Sequence, residues 1–366
     1  MPVLLKNLAI DNVTKTPKYL QVARVIEAQV HAQEISPGSR LPSDRDLAAQ
    51  MGVTTVTINR GLQELVRKGL IDRKVGSGTF VTGGKVERAT RRIGVLCHYP
   101  VNQDWYAGRS VAAINRYWSE NNGELVCLIK EGPEYQDVVR DYQLDGVIII
   151  APLLRFKPNL DRLIEYGVPF VLMSGYIKSL EKYCFTVDDM SNASQAVNYL
   201  TKLGHRRIGI VPGHYDCPGT FDRMEGFKKA MWEAQLPINF DWCIEWRPLQ
   251  ENYEGPNQIP EIENVLRHEV RPTAFLVSDL SLVSSVYQAA SNCGLEIGKD
   301  LSVIGFDDFE LASYLHPALT TFSQPVERIA YDAAKALDMQ LLGTPDFEKD
   351  NYSSEFIIRN SCASLV

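Results

Sequence analysis

LPSDRDLAAQMGVTTVTINRGLQELVRKGLIDRKVGSGTFV, residues 41–81, carries two helix signals and a hairpin signal in close succession. Ser43 followed by Asp46 is a capping-box-like start, and Leu47, Ala48 and Met51 give a short apolar face that stops at Gly52, a good helix terminator. Thr54 can cap a second helix in which Ile58, Leu62, Leu65 and Val66 recur at helical spacing. Thr55, Thr57, Asn59, Arg60, Gln63 and Arg67 fall mostly off that stripe. Two helices joined by so short a turn form a helix-turn-helix. The second helix of such a unit offers its N-terminal residues to base edges and its positive dipole end to phosphate, which makes Thr54 to Arg60 the expected reading surface. Asn59 can pair with adenine and Arg60 with guanine.

Beyond Gly69, the apolar pieces Leu70-Ile71 and Thr79-Phe80-Val81 flank basic Arg73-Lys74 and the turn Gly76-Ser77-Gly78. That pattern predicts a small hairpin, or wing. The glycine run alone is a weak phosphate-loop match, and a hairpin turn is the simpler reading.

From Pro17 to Val81 the chain resembles the winged-helix DNA-binding domain of the GntR family, through PGSRLPSDRDLA, VTTVTINRGLQELVRKGLI and GSGTFV in that order. The resemblance implies DNA contacts at Arg45, Thr54, Thr57 and Gly76. The family usually has arginines where this chain has Thr55 and Asn59, so base preference does not carry over. Plainer readings stand beside these: Arg45 as a solvated helix residue, Thr54 as a cap in either case, Asn59 and Arg60 as the wet face of a helix.

The gross properties agree with a multidomain regulator. The 366 residues suffice for two or three domains with full cores. The chain carries a net charge of −7, yet residues 1–92 hold 15 Lys/Arg against 8 Asp/Glu and the remainder 23 against 37. Positive charge is therefore concentrated where the helix-turn-helix lies. Seven scattered cysteines with no Cys-x-x-Cys pair point to neither a disulfide framework nor a zinc site. No apolar run approaches the length of a membrane span, and MPVLLKNLAIDN has no charged leader or cleavage pattern, so a cytoplasmic protein is expected.

Taken in order, residues 1–16 read as an arm, 17–82 as the winged helix-turn-helix, 83–92 as a linker and 93–366 as a second, larger domain. A first helix is expected from Pro17 to about Gln33, on Leu20, Ala23, Ile26, Glu27 and Val30. The linker GGKVERATRR is glycine and charge with almost no apolar content. From Ile93 the runs RIGVLCH, ELVCLIK, DGVIIIAP, PFVLMS, RIGIVPG, TAFLVSD and LSVIGFDD alternate with helical stretches. This is the pattern of an α/β domain with parallel sheets covered by helices. Arg91-Arg92-Ile93-Gly94-Val95 returns as Arg206-Arg207-Ile208-Gly209-Ile210, which predicts two similar lobes.

Ligands of open parallel sheets bind beyond the carboxyl ends of the strands. Asp188, Asp279 and Asp307 each follow an apolar run, Trp105 and Tyr106 follow the loop leaving the first strand, and Arg223 starts a helix after RIGIVPG. Carboxylates and an arginine bind vicinal hydroxyls, and an aromatic face stacks on a sugar ring, so the set is a candidate polyol site. Singly, each aspartate can be a helix cap, Trp105 a packing residue and Arg223 a structural ion-pair partner.

Residues 92 to about 362 resemble the effector-binding domain of the LacI family, a two-lobed fold similar to periplasmic sugar-binding proteins. The matching segments are LGHRRIGIVPG, DRMEGFKKAM, RPTAFLVSD, GKDLSVIGFDDFELASYLHPALTTFSQP and SEFIIRNS. The resemblance implies that Arg223 and Asp307 bind the effector and that aromatics after the first strand line the cleft. The family's usual Asn-Asp is here Ser278-Asp279. Lobe 1 is expected at about 93–203 and 325–350, lobe 2 at about 204–322 and 351–366. A GntR-like reader joined to a LacI-like sensor resembles arabinose-repressor-type regulators.

These resemblances imply a homodimeric repressor of carbohydrate-utilisation genes, bound to a pseudo-palindromic operator and controlled by a small sugar-like effector. The same regulator answering a nucleobase or a phosphorylated metabolite is the alternative. A more distant one is a reader fused to a pyridoxal-phosphate enzyme fold, whose lysine and phosphate cup are not evident. Neither a metalloprotease helix motif nor a phosphate-binding Gly-x-x-x-x-Gly-Lys loop occurs, so no catalysis, cofactor, metal or membrane partner is expected.

Overall fold

Helix α1 (Lys18–His31) buries Val22, Ala23 and Ile26 against the helix-turn-helix formed by α2 (Asp44–Met51) and α3 (Thr55–Arg67). The computed structural model describes residues 10, 17–31, 35–67, 69–74, 78–82, 90–97, 105–129, 134–213, 216–244, 258–344 and 347–366. The expected arm and most of the expected linker lie outside them. Leu47, Ile58, Leu62 and Leu65 join the small core, as their spacing predicts, whereas Val66, expected on the same stripe, is 40% exposed. Strands β1 (Ile71–Lys74) and β2 (Gly78–Val81) pair antiparallel as the wing. Arg40 adds a bridge to Phe80 on the open side of β2.

The second domain begins at β3 (Arg91–Cys97), slightly before the expected Ile93. It continues through α4 (Trp105–Glu120), β4 (Gly123–Ile129), α5 (Tyr135–Asp141), β5 (Gly146–Ile150), α6 (Lys157–Glu165), β6 (Phe170–Met173) and β7 (Cys184–Phe185). These strands form one parallel sheet in the order β4-β3-β5-β6-β7. Both of its faces are buried: Val95, Ile148 and Ile150 pack on one side, Leu96, Val147 and Ile149 on the other. Continuous apolar runs in the sequence are the signature of such two-sided burial.

The chain then crosses to a second lobe made of α7 (Asp189–Lys202), β8 (Ile208–Val211), α8 (Pro218–Glu233), α9 (Ile259–Leu266), β9 (Ala274–Val277), α10 (Leu280–Asn292), β10 (Ser302–Gly305), α11 (Glu310–Tyr314) and β11 (Thr321–Ser323). Its parallel sheet runs β10-β9-β8. Helix α12 (Val326–Leu341) returns to the first lobe, and β12 (Glu355–Ile357) comes back to pair antiparallel with β11. The repeated Arg-Arg-Ile-Gly motif thus opens β3 in one lobe and β8 in the other.

Two expected boundaries move. Ala193, Ala196, Val197 and Leu200 of α7 pack with Ile208, Ile210 and Phe227, so α7 belongs to lobe 2 and the crossing lies at about Asp188, not residue 203. The apolar stripe of α7 covers the β8–β9 sheet, and the chain changes lobes before this helix instead of after it. Likewise Tyr352 packs in the lobe 1 core and bridges Val187, so the last crossing follows it.

Candidate functional site

Two surfaces hold the residues singled out in the sequence. On the first, Ser43 and Asp46 form a complete capping box, and Gly52 ends α2 in the left-handed conformation at φ 61°. Thr54 Oγ1 accepts from the Thr57 N–H at 3.2 Å, and the two hydroxyls meet at 2.9 Å. The Thr57 hydroxyl is therefore engaged at the helix cap. Thr54 and Thr55 are exposed and Asn59 is half-buried. Arg60 is exposed too, but its guanidinium lies 5.8 Å from the Tyr19 ring centroid, drawn toward α1. α1 and α3 cross at Gly61, where a Cβ would meet the Tyr19 carbonyl and Val22 at 2.8 Å.

Arg45 is exposed on the first turn of α2. Its neighbour Asp44 pairs with Arg73 and so ties the wing to the helix-turn-helix. Gly78 has φ +115°, and Arg40 approaches to 2.7 Å of where its Cβ would be, so the wing needs glycine there. Gly76, the expected wing contact, lies outside the described residues. Val56 is the feature missed in the sequence: an apolar side chain 69% exposed on the first turn of α3. Its position off the Ile58-Leu62-Leu65 stripe was the available signal.

The second surface lies at the carboxyl ends of the strands of both lobes. Arg223 is buried on α8; its Nε donates to Asp189 Oδ1 at 2.8 Å, its Nη1 donates to the Ser278 carbonyl, and its plane lies 4.2 Å from the Phe306 ring centroid. Burial pushes the Asp189 carboxyl up from its ordinary value, opposed by the charge and hydrogen bond of Arg223. Burial also works against the Arg223 charge, but Asp189, then Asp307 and Asp279, hold the guanidinium protonated.

The aspartate facing Arg223 is thus Asp189, not Asp188. Asp188 is exposed and caps α7, accepting from the Ser191 N–H at 2.9 Å and the Ser191 hydroxyl at 2.6 Å. Which of two adjacent carboxylates takes the cap depends on where the helix begins, so the doublet in the sequence did not single out Asp189. Ser278 is buried, and its hydroxyl accepts from the Gly213 N–H at 2.7 Å, joining the loops after β8 and β9 instead of opening into the cleft. Asp279 stands beside that junction: a Cβ on Gly213 would meet its side chain at 3.1 Å.

Asp307 has φ +69°, a conformation that aspartate tolerates better than most residues. It is held by the Thr321 hydroxyl donating to its carbonyl at 3.2 Å and by the Gln324 amide donating to its carboxylate. Gln324 is buried where the chain crosses to α12, so this carboxylate is anchored at the hinge. Across the cleft, Trp105 of lobe 1 faces Phe309 of lobe 2 with centroids 5.9 Å apart and Arg109 at 4.6 Å. Tyr106 does not join it: the ring is buried in the lobe 1 core with Ile114 and Ile150, because it points inward from α4. A second link across the lobes is Asp216, which accepts from the Arg155 N–H at 3.0 Å and pairs with its guanidinium at 3.3 Å.

Among the described residues no helix is long and apolar enough to cross a membrane. Residues 18–81 match the family model of bacterial regulatory proteins, gntR family, and residues 197–362 that of a periplasmic binding protein-like domain. Over 364 residues the chain is 26% identical to an arabinose metabolism transcriptional repressor of Geobacillus stearothermophilus, covering 95% of this chain and 98% of that protein. It is 27% identical over 280 residues to the ribose operon repressor of Haemophilus influenzae, covering 75% and 80%. Among solved structures, a regulatory protein of the LacI family from Chloroflexus aggregans superposes with a TM-score of 0.64 at 25% identity, covering 74% of this chain and 98% of that one. The chain therefore joins a GntR-type helix-turn-helix to a LacI-like, periplasmic-binding-protein-like domain.

Proposed function

We propose that this chain, a GntR-type reader joined to a LacI-like sensor, is a cytoplasmic homodimeric transcriptional repressor. It binds a pseudo-palindromic operator through Arg45, Thr55 and Asn59 and is controlled by a neutral polyhydroxylated effector in the cleft. Support for the first half comes from the exposed N-terminal end of α3 and from relatives that are named repressors of arabinose and ribose genes. A dimer places two such helices about one helical turn of DNA apart, which implies two matching half-sites.

The observation that carries the effector reading is the charge around Arg223. Its guanidinium is already paired with Asp189, and Asp279 and Asp307 act on it as well. Such a site gains hydrogen bonds by accepting from hydroxyl groups, while a phosphate would add about −1.5 to −2 charges beside carboxylates. A sugar ring also offers an apolar face to Trp105. This favours a pentose or hexose over a phosphorylated metabolite.

Ligand in the cleft alters operator binding only through its different affinity for two arrangements of the molecule, with coupling of about 1–3 kcal/mol. The test is a thermal-shift screen of the full chain against pentoses, hexoses, uronic acids, sugar phosphates and purines. A neutral sugar at about 100 times its Kd is expected to add about 2.7 kcal/mol of stability. A response confined to phosphorylated sugars or purines would overturn the polyol reading.

A further inference from the structure

We propose that Val56 is a specificity determinant of the reading helix, laying its methyl groups against a thymine methyl in the major groove. The proposal rests on the DNA-binding reading above.

Val56 is an exposed valine that the fold does not use. Ile58, Gly61, Leu62 and Leu65 take the inner side of α3. At 3.6 residues per turn, Val56 and Gln63 lie two turns apart on the opposite line of the helix, and both are exposed. Valine is a poorer helix former than the alanine, lysine or glutamine common at such positions, so helix stability does not select it.

The structure also removes rival readers. The Thr54 and Thr57 hydroxyls engage each other at the cap, and Arg60 is drawn toward Tyr19. On the first turns this leaves Thr55, Val56 and Asn59. The apolar feature that base pairs present in the major groove is the thymine C5-methyl, so an apolar side chain at the inserted helix end gains most by covering it. Asn59, about 60° further round the helix, has the donor and acceptor that match adenine. Together they specify A·T pairs within each half-site.

The experiment first selects a binding site from random duplexes with the full-length protein. Each thymine of that site is then replaced, in both half-sites, by deoxyuridine, which removes only the methyl group. Affinities are measured at one salt concentration for the parent and for Val56→Ala. At one thymine position the parent is expected to weaken about three- to fivefold per half-site, the worth of one buried methyl-sized group. Val56→Ala shows no loss there and binds the thymine duplex as weakly as the parent binds the uracil duplex. Because Val56 is exposed, its melting temperature stays that of the parent. If every loss seen with deoxyuridine persists in Val56→Ala, this inference is wrong while the DNA-binding reading stands. If no sequence is selected at all, both fall.

Discussion

Asp188 and Asp189 are adjacent in sequence and have opposite surroundings. Asp188 holds the Ser191 N–H and hydroxyl at the start of α7, in contact with water, whereas Asp189 is buried against Arg223. Asp222, the residue before Arg223, feels both. Burial first, then the charges of Asp189 and Asp188, push its carboxyl from 3.8 up to about 6. The folded chain therefore binds this proton more tightly than the unfolded chain does. Asp222 costs stability above that value, and the cost disappears as pH falls through the window from about 6 to about 4. Asp222→Asn should melt higher than the parent at about pH 7.5, with the gap closing by about pH 4. A gap of constant size across that range would show that the ionisation of Asp222 is not its origin. Sequence alone marked Arg223, Asp279 and Asp307, because each follows a strand. It did not separate Asp189 from Asp188, since that depends on the turn angle at the start of α7.

At the scale of elements, the sequence carries α2, α3 and the wing almost completely, because capping residues, a terminating glycine and apolar spacing are all local signals. It was poorer for α7, whose stripe says that one face is buried but not which sheet buries it. The reason lies in a contact distant in sequence. Gly226 of α8 meets α7 so closely that a Cβ would come within 2.1 Å of the Met190 carbonyl, and the Ser194 hydroxyl donates to the Gly226 carbonyl at 3.0 Å. Gly226→Ala must push the two helices apart, and a loss of about 1–3 kcal/mol is expected in urea unfolding. A variant as stable as the parent would mean that the helices do not cross there.

Over the whole molecule, opposite charge asymmetries divide the work between a basic reader and an acidic sensor. The two touch where the Arg24 guanidinium donates to the Gly167 carbonyl of lobe 1 at 2.6 Å. Within the sensor, Asp307 is held by Gln324 at the hinge, so a ligand that engages Asp307 acts on a group tied to the crossing between lobes. Asn is the clean replacement at 307, because it keeps the tolerance for positive φ and removes the charge. The most direct measurement is fluorescence anisotropy of the selected operator titrated with full-length protein, with and without the sugar found in the melting screen. The sugar is expected to weaken operator affinity about 5- to 150-fold in the parent, and to leave the affinity of Asp307→Asn unchanged. An operator affinity indifferent to the bound sugar, or an equal response in Asp307→Asn, would contradict the coupling of reader and cleft.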